Sequence, residues 1–80
     1  MKVNVRVYDK AKYDMESKEV NRIEYDIEGF EIICGGNRAK EIEAHTDGDC
    51  IDEYHEYLVL DLGNGETSTF RNSHVSMFRA

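Results

Sequence analysis

The segment His45-Thr46-Asp47-Gly48-Asp49-Cys50, with His55 downstream, gathers side chains that bind metals, move protons or attack carbonyls. As a calcium loop it fails, because that template needs alternating acids ahead of its glycine and a closing glutamate. As a zinc site it offers Cys34, His45, Cys50 and His55, with no paired C-x-x-C spacing. The segment reads as a solvated acidic turn, so neither metal nor cofactor is expected. A small metal-binding domain using His45, Asp47, Cys50 and His55 is kept as a further alternative.

Nucleophilic catalysis would need Cys50 or Ser73 beside His45, His55 or His74. Ser73 and His74 are neighbours, and in a strand they would point to opposite faces. A triad also needs a pocket and an oxyanion hole, which an 80-residue chain has little core to enclose. Paired carboxylates such as Glu41/Glu43 and Asp47/Asp49 abound, but without an apolar pocket to raise one pKa they are surface acids. Gly35-Gly36-Asn37-Arg38 lacks the Lys-Ser/Thr of a phosphate loop, and Gly63-Asn64-Gly65 has no base beside it. Both read as turns. The expectation is a chain that is not an enzyme.

Charge is the more informative signal. The sequence holds 10 Lys and Arg against 17 Asp and Glu, for a net charge of −7. Residues 1–40 balance, whereas residues 41–70 carry Glu41, Glu43, Asp47, Asp49, Asp52, Glu53, Glu56, Asp61 and Glu66 and no Lys or Arg. Such a stretch repels a phosphate backbone, so direct nucleic-acid binding through the tyrosines is not expected. It attracts an oppositely charged protein surface. Within it, Asp47, Asp49, Asp52, Glu53 and Glu56 alternate with Tyr54 and Tyr57. Ion pairs would set rate and register there, and the rings would supply apolar contact. The candidate partner-binding residues are therefore Glu41, Glu43, Asp47, Asp49, Asp52, Glu53, Tyr54, Glu56 and Tyr57. The competing reading is a solubilising face.

The elements that would carry these residues are short strands. Val3, Val5 and Val7 alternate with Asn4, Arg6 and Tyr8, a period of two that predicts a half-buried strand over 2–8. Residues 9–18 are polar and read as a loop with at most a turn of helix. Ile23, Tyr25 and Ile27 share a face. Glu28-Gly29 then suggests a hairpin into a strand over 30–34, with a continuous strand kinked at Gly29 as the competing reading. Cys34 falls in an apolar run and reads as a core thiol, with Cys50 exposed after a turn. Residues 38–45 read as a strand, although Arg38, Ala39, Lys40 and Glu41 are also good helix formers. Leu58, Leu60 and Leu62 mark the clearest core strand. Gly63-Asn64-Gly65 is a tight turn into a strand over 67–70. Val75, Met77 and Phe78 close the chain as a short strand or 3₁₀ turn.

The fold class expected is all-β or β-rich α+β: one domain over 1–80 with a small five- to six-stranded antiparallel sheet. Closing such a sheet removes its edges. The order of a Leu-rich strand, a Gly-rich turn, a Thr/Phe strand and a Val75-x-Met77-Phe78 closure is similar to small SH3-like barrels, which implies that closed form. A small core also makes a homo-oligomer a live alternative. No apolar run is long enough to cross a membrane. The chain starts directly in a strand pattern, so it is expected to be cytoplasmic with reduced cysteines.

In its length, its direct strand start, its acidic balance and its ending Phe70-Arg71-Asn72-Ser73-His74-Val75, the chain resembles small orphan proteins of phages and prophages of Gram-positive bacteria. That group resembles, in part, anti-CRISPR and other anti-defence inhibitors. The resemblance implies a non-catalytic inhibitor or adaptor in a bacterial host. Its acidic face would meet a basic surface of a nucleic-acid-handling protein, nucleic-acid mimicry included. The alternative is a structural or assembly module, such as a homo-oligomeric phage component.

Overall fold

The computed structural model describes residues 1–34 and 55–80. Six strands follow in order among these residues: β1 (Lys2–Tyr8), β2 (Glu19–Asp26), β3 (Gly29–Cys34), β4 (Glu56–Gly63), β5 (Glu66–Arg71) and β6 (Val75–Arg79), with a 3₁₀ turn at Asn72–His74 before the last. They form two three-stranded antiparallel sheets, in the orders β2-β1-β6 and β3-β4-β5. The β-rich class is as expected, and no α-helix occurs among the described residues. Among the described residues the closed SH3-like barrel is not formed. No ladder joins the two sheets among the described residues, so they meet through side chains.

The valine alternation of β1 does what its period requires. Val3 and Val5 are buried, and they pair across the sheet with Tyr25 and Ile23 of β2. On the other side Val5 lies opposite Met77 and Val7 opposite Val75. From the second sheet, Leu58 and Leu60 of β4 enter the same cluster, with Phe70 packed against it. Tyr25 joins the sheets directly. Its ring meets Phe70 edge-on at 6.0 Å, and its hydroxyl lies 3.4 Å from Ser68 Oγ.

The predicted hairpin at Glu28-Gly29 is absent. Ile23, Tyr25 and Ile27 stay with β1, while β3 pairs with β4. The chain turns a corner there instead of folding back. The Ile27 amide donates to Met1 O at 2.8 Å, and the Glu28 amide donates to Asp61 O at 2.8 Å. One peptide is thus tied to each sheet, with Ile27 buried between them. This is closer to the kinked-strand reading. Gly29 has no positive φ, so the tight hairpin geometry that glycine would serve is not used. The turn after β4 does use it: Gly63, Asn64 and Gly65 have φ of 85°, 56° and 78°.

Cys34 is exposed, not a core thiol. Alternation along β3 puts Ile33 inside and Cys34 on the face of Phe30 and Ile32, which are about half exposed at 51% and 54%. Residues 9–18 are a loop of two tight turns, in which the Asp14 amide reaches Ala11 O and the Ser17 amide reaches Asp14 O. Asp9 closes its neck: its amide donates to Lys18 O, and its carboxylate accepts from the Lys18 amide at 2.8 Å. The loop is pinned to the 3₁₀ turn by the Lys12 amide on Ser73 O and by Lys12 Nζ on Val75 O. The strand-or-helix question over 38–45, the turn at 46–49 and Cys50 lie outside the described residues.

Candidate protein-binding surface on the second sheet

The two sheets differ in charge. The first sheet and its loop carry seven bases (Lys2, Arg6, Lys10, Lys12, Lys18, Arg22 and Arg79) and six acids (Asp9, Asp14, Glu16, Glu19, Glu24 and Asp26), close to balance. The described part of the second sheet, with its corner and turn, carries Glu28, Glu31, Glu56, Asp61 and Glu66 against Arg71 alone. The ion pairs between described residues keep to the first side. They join Met1 to Asp26, Arg6 and Arg22 to Glu19, and Lys10 to Glu16.

One of these, a two-point pair, sits on the outer face of the first sheet. Arg22 Nε and Nη2 donate to the two Glu19 oxygens at 3.0 and 3.2 Å, and Arg6 Nε lies 3.6 Å from the same carboxylate. The Arg22 hydrogen bond is the largest influence on the Glu19 carboxyl and holds it below its ordinary value; desolvation opposes it, and the charges of Arg22 and Arg6 add smaller lowering effects. Arg6 also stacks its guanidinium 4.3 Å from the centre of the Phe78 ring. Arg6 and Arg22 are thus engaged within their own sheet.

On the second sheet register sets which residues share the face that carries Gly29. Gly29 lies opposite Asp61 and Glu31 opposite Val59, and on the far side Thr69 lies opposite Val59 and Thr67 opposite Asp61. Together with Glu28, Phe30 and the turn Gly63-Asn64-Gly65, the residues of that face at the Gly29 end line an open groove of about 820 Å³. Gly29 leaves part of it open, since a Cβ there would meet nothing within 4 Å. Asp61 is exposed and accepts the Gly63 amide at 2.9 Å, which fixes its carboxylate beside the turn. The Glu28 side chain lies over Gly63. The Thr67 and Thr69 hydroxyls are buried with no hydrogen-bond partner among the described residues.

Of the residues predicted to bind a partner, Glu41, Glu43, Asp47, Asp49, Asp52, Glu53 and Tyr54 lie outside the described residues. Glu56 is exposed at the start of β4 and accepts from Asn72 Nδ2 at 3.3 Å. Tyr57 requires a correction: it is 3% exposed and packs with Ile33 and Val59 in a second buried cluster. A central strand covered on both faces buries both of its alternating sets, so the tyrosine is a core residue and not a surface anchor. Sequence reasoning missed Glu28 and Gly29, which it read as a turn. It also missed the pairing of Gly29 with Asp61, since register between strands so far apart in sequence leaves no local signal.

Of the residues considered for chemistry, His45, Asp47 and Cys50 are likewise outside the described part. His55 is exposed, with Arg71 Nη2 2.9 Å from its Nε2 and 3.0 Å from its Nδ1. Among the described residues no three His, Cys, Asp or Glu side chains come together as metal ligands. Ser73 and His74 do not point apart as a strand would make them. The 3₁₀ turn brings Ser73 Oγ to 2.9 Å from His74 Nδ1. That contact is closed within the turn, and neither residue lines the groove. No helix among the described residues is long and apolar enough to cross a membrane. No family model matches the chain, and neither a curated protein nor a solved structure matches it.

Proposed function

We propose that this chain is a non-catalytic binding protein whose acidic side docks on a basic surface of another protein. The observation that carries the reading is the unequal charge of the two sheets. Arg6, Arg22 and Lys10 are engaged by acids of their own side, and no ion pair between described residues reaches Glu28, Asp61 or Glu66 on the second. The residues 41–53, with six further acids and no Lys or Arg in 41–55, enter the same chain stretch. A one-signed surface of this kind speeds encounter with an opposite one and discriminates against like-charged partners.

An inhibitor or adaptor of phage type is the biological role that fits such a device. Its partner would be a nucleic-acid-handling protein of a bacterial host, met in the cytoplasm, with the carboxylates standing where phosphates would bind. Pull-down from a bacterial lysate at about 50 mM and about 500 mM salt tests it, because screening shortens the reach of exposed charges from more than 10 Å to a few ångströms. Capture of a basic protein at low salt that is lost at high salt supports the reading. Capture indifferent to salt overturns it.

One observation favours a second reading, that of an assembly module. β3 is an edge of its sheet among the described residues and shows Phe30 and Ile32 about half exposed. An apolar edge can pair with another strand. Sedimentation separates the two readings: a stable oligomer at low micromolar concentration supports assembly, and a monomer supports the acidic binding protein.

A further inference from the structure

Deepening the reading above, and resting on it, we propose that the groove across β3 and β4 is the seat for a lysine or arginine side chain of an extended basic segment of the partner. Three features of the groove point the same way. Among its described lining residues the charge is of one sign, with Glu28 and Asp61 on its walls and no base. Its rim offers apolar surface to the methylene stem of a long cationic side chain, since Phe30 is about half exposed there, with Val59 buried beneath. And it is open because Gly29 has no side chain.

Gly29 is the most informative of the three. A glycine in a strand weakens it, and it is retained for a backbone conformation, a bend or a close approach. Gly29 has no positive φ, and a Cβ at this position would touch nothing. The corner itself is made at Ile27 and Glu28, whose amides are bonded to Met1 and Asp61. What glycine supplies at position 29 is therefore room above the strand, beside two carboxylates. A cation entering there would lie against Asp61, whose carboxylate is already oriented by the Gly63 amide. Such preorganisation favours a charge-assisted hydrogen bond over a diffuse attraction.

The test is titration of the full chain with a fluorescent nona-arginine peptide at low salt, read by anisotropy and by backbone amide NMR shifts. Three variants are compared: Gly29→Leu, which fills the groove and leaves the charge unchanged, and Glu28→Gln and Asp61→Asn, which keep the shape. Binding weakened tenfold or more by Gly29→Leu, with wild-type shifts centred on Gly29, Val59 and Thr67, is the expected result. If Gly29→Leu does not fold, the same loss in Glu28→Gln and Asp61→Asn, with shifts at the same amides, carries the inference. Salt-sensitive binding that all three variants leave within twofold overturns the groove while leaving the acidic-surface reading intact. Absence of peptide binding even at low salt overturns both.

Discussion

Leu60 is fully buried where the two sheets meet, and a chain this small has few residues that can replace its contacts. Leu60→Ala is expected to cost about 2–5 kcal/mol, a large share of the stability of a domain this small, and to lower the urea midpoint accordingly. Val20→Ala, at a strand position that is mostly exposed, should stay within about 0.5 kcal/mol. Similar midpoints for the two would mean that the core has been misplaced. Glu19 offers a residue-scale test of a different kind. Its carboxyl is held below the ordinary range, chiefly by the Arg22 hydrogen bond. A group depressed in the folded state contributes stability that is complete above its unfolded pKa and is lost as pH falls through the folded one. The window is therefore the acidic side of the usual glutamate range. The Glu19 carboxyl carbon, followed by NMR, should titrate at lower pH in the native chain than in Arg22→Ala. Because both side chains reach solvent, with Arg22 50% and Glu19 34% exposed, added salt should narrow that gap.

Strands marked by their own alternation are legible in the amino-acid sequence. β1 shows its valines every second residue, and β4 its leucines, so their existence and inward faces follow from period alone. The turn at Gly63-Asn64-Gly65 is legible for a local reason too, since all three residues occupy the positive-φ region that Gly and Asn tolerate. Asn64→Ala should accordingly cost about 1 kcal/mol, and Asn64→Gly should be close to neutral, by denaturant midpoint. Equal stability of Asn64→Ala and the native chain would mean that the turn relaxes to another type. What alternation does not decide is partnership. Ile23, Tyr25 and Ile27 on one side of Glu28, and Phe30 to Cys34 on the other, satisfy a hairpin and a corner equally well. The choice lies with β1 and β4, which compete for the two halves and win them separately. The groove is hidden from the sequence for the same reason, because Gly29 and Asp61 are far apart along the chain and meet only through that choice. Cys34 and Tyr57 mislead in a related way: a run of apolar residues says that something is buried, while the phase of the strand and the number of covered faces say which.

At the scale of the whole molecule, the net charge of −7 is less telling than its division between two sheets that share one core. A solubilising surface works through net charge, wherever the charges sit. A docking surface works through place. Two double variants separate these at equal cost in charge: Asp61→Lys with Glu66→Lys on the second sheet, and Glu16→Lys with Glu24→Lys on the first side. Each changes the total by the same amount. If the acidic sheet is the contact, the first pair should weaken capture of a basic partner at least tenfold, mainly through slower association at low salt. The second pair should change it by no more than about twofold, as expected for a rim charge acting only through the screened long-range field. Surface plasmon resonance across a salt series reads both the rate and its slope. Equal losses from the two pairs would show that the partner senses total charge alone, and the division between the sheets would then have no part in recognition.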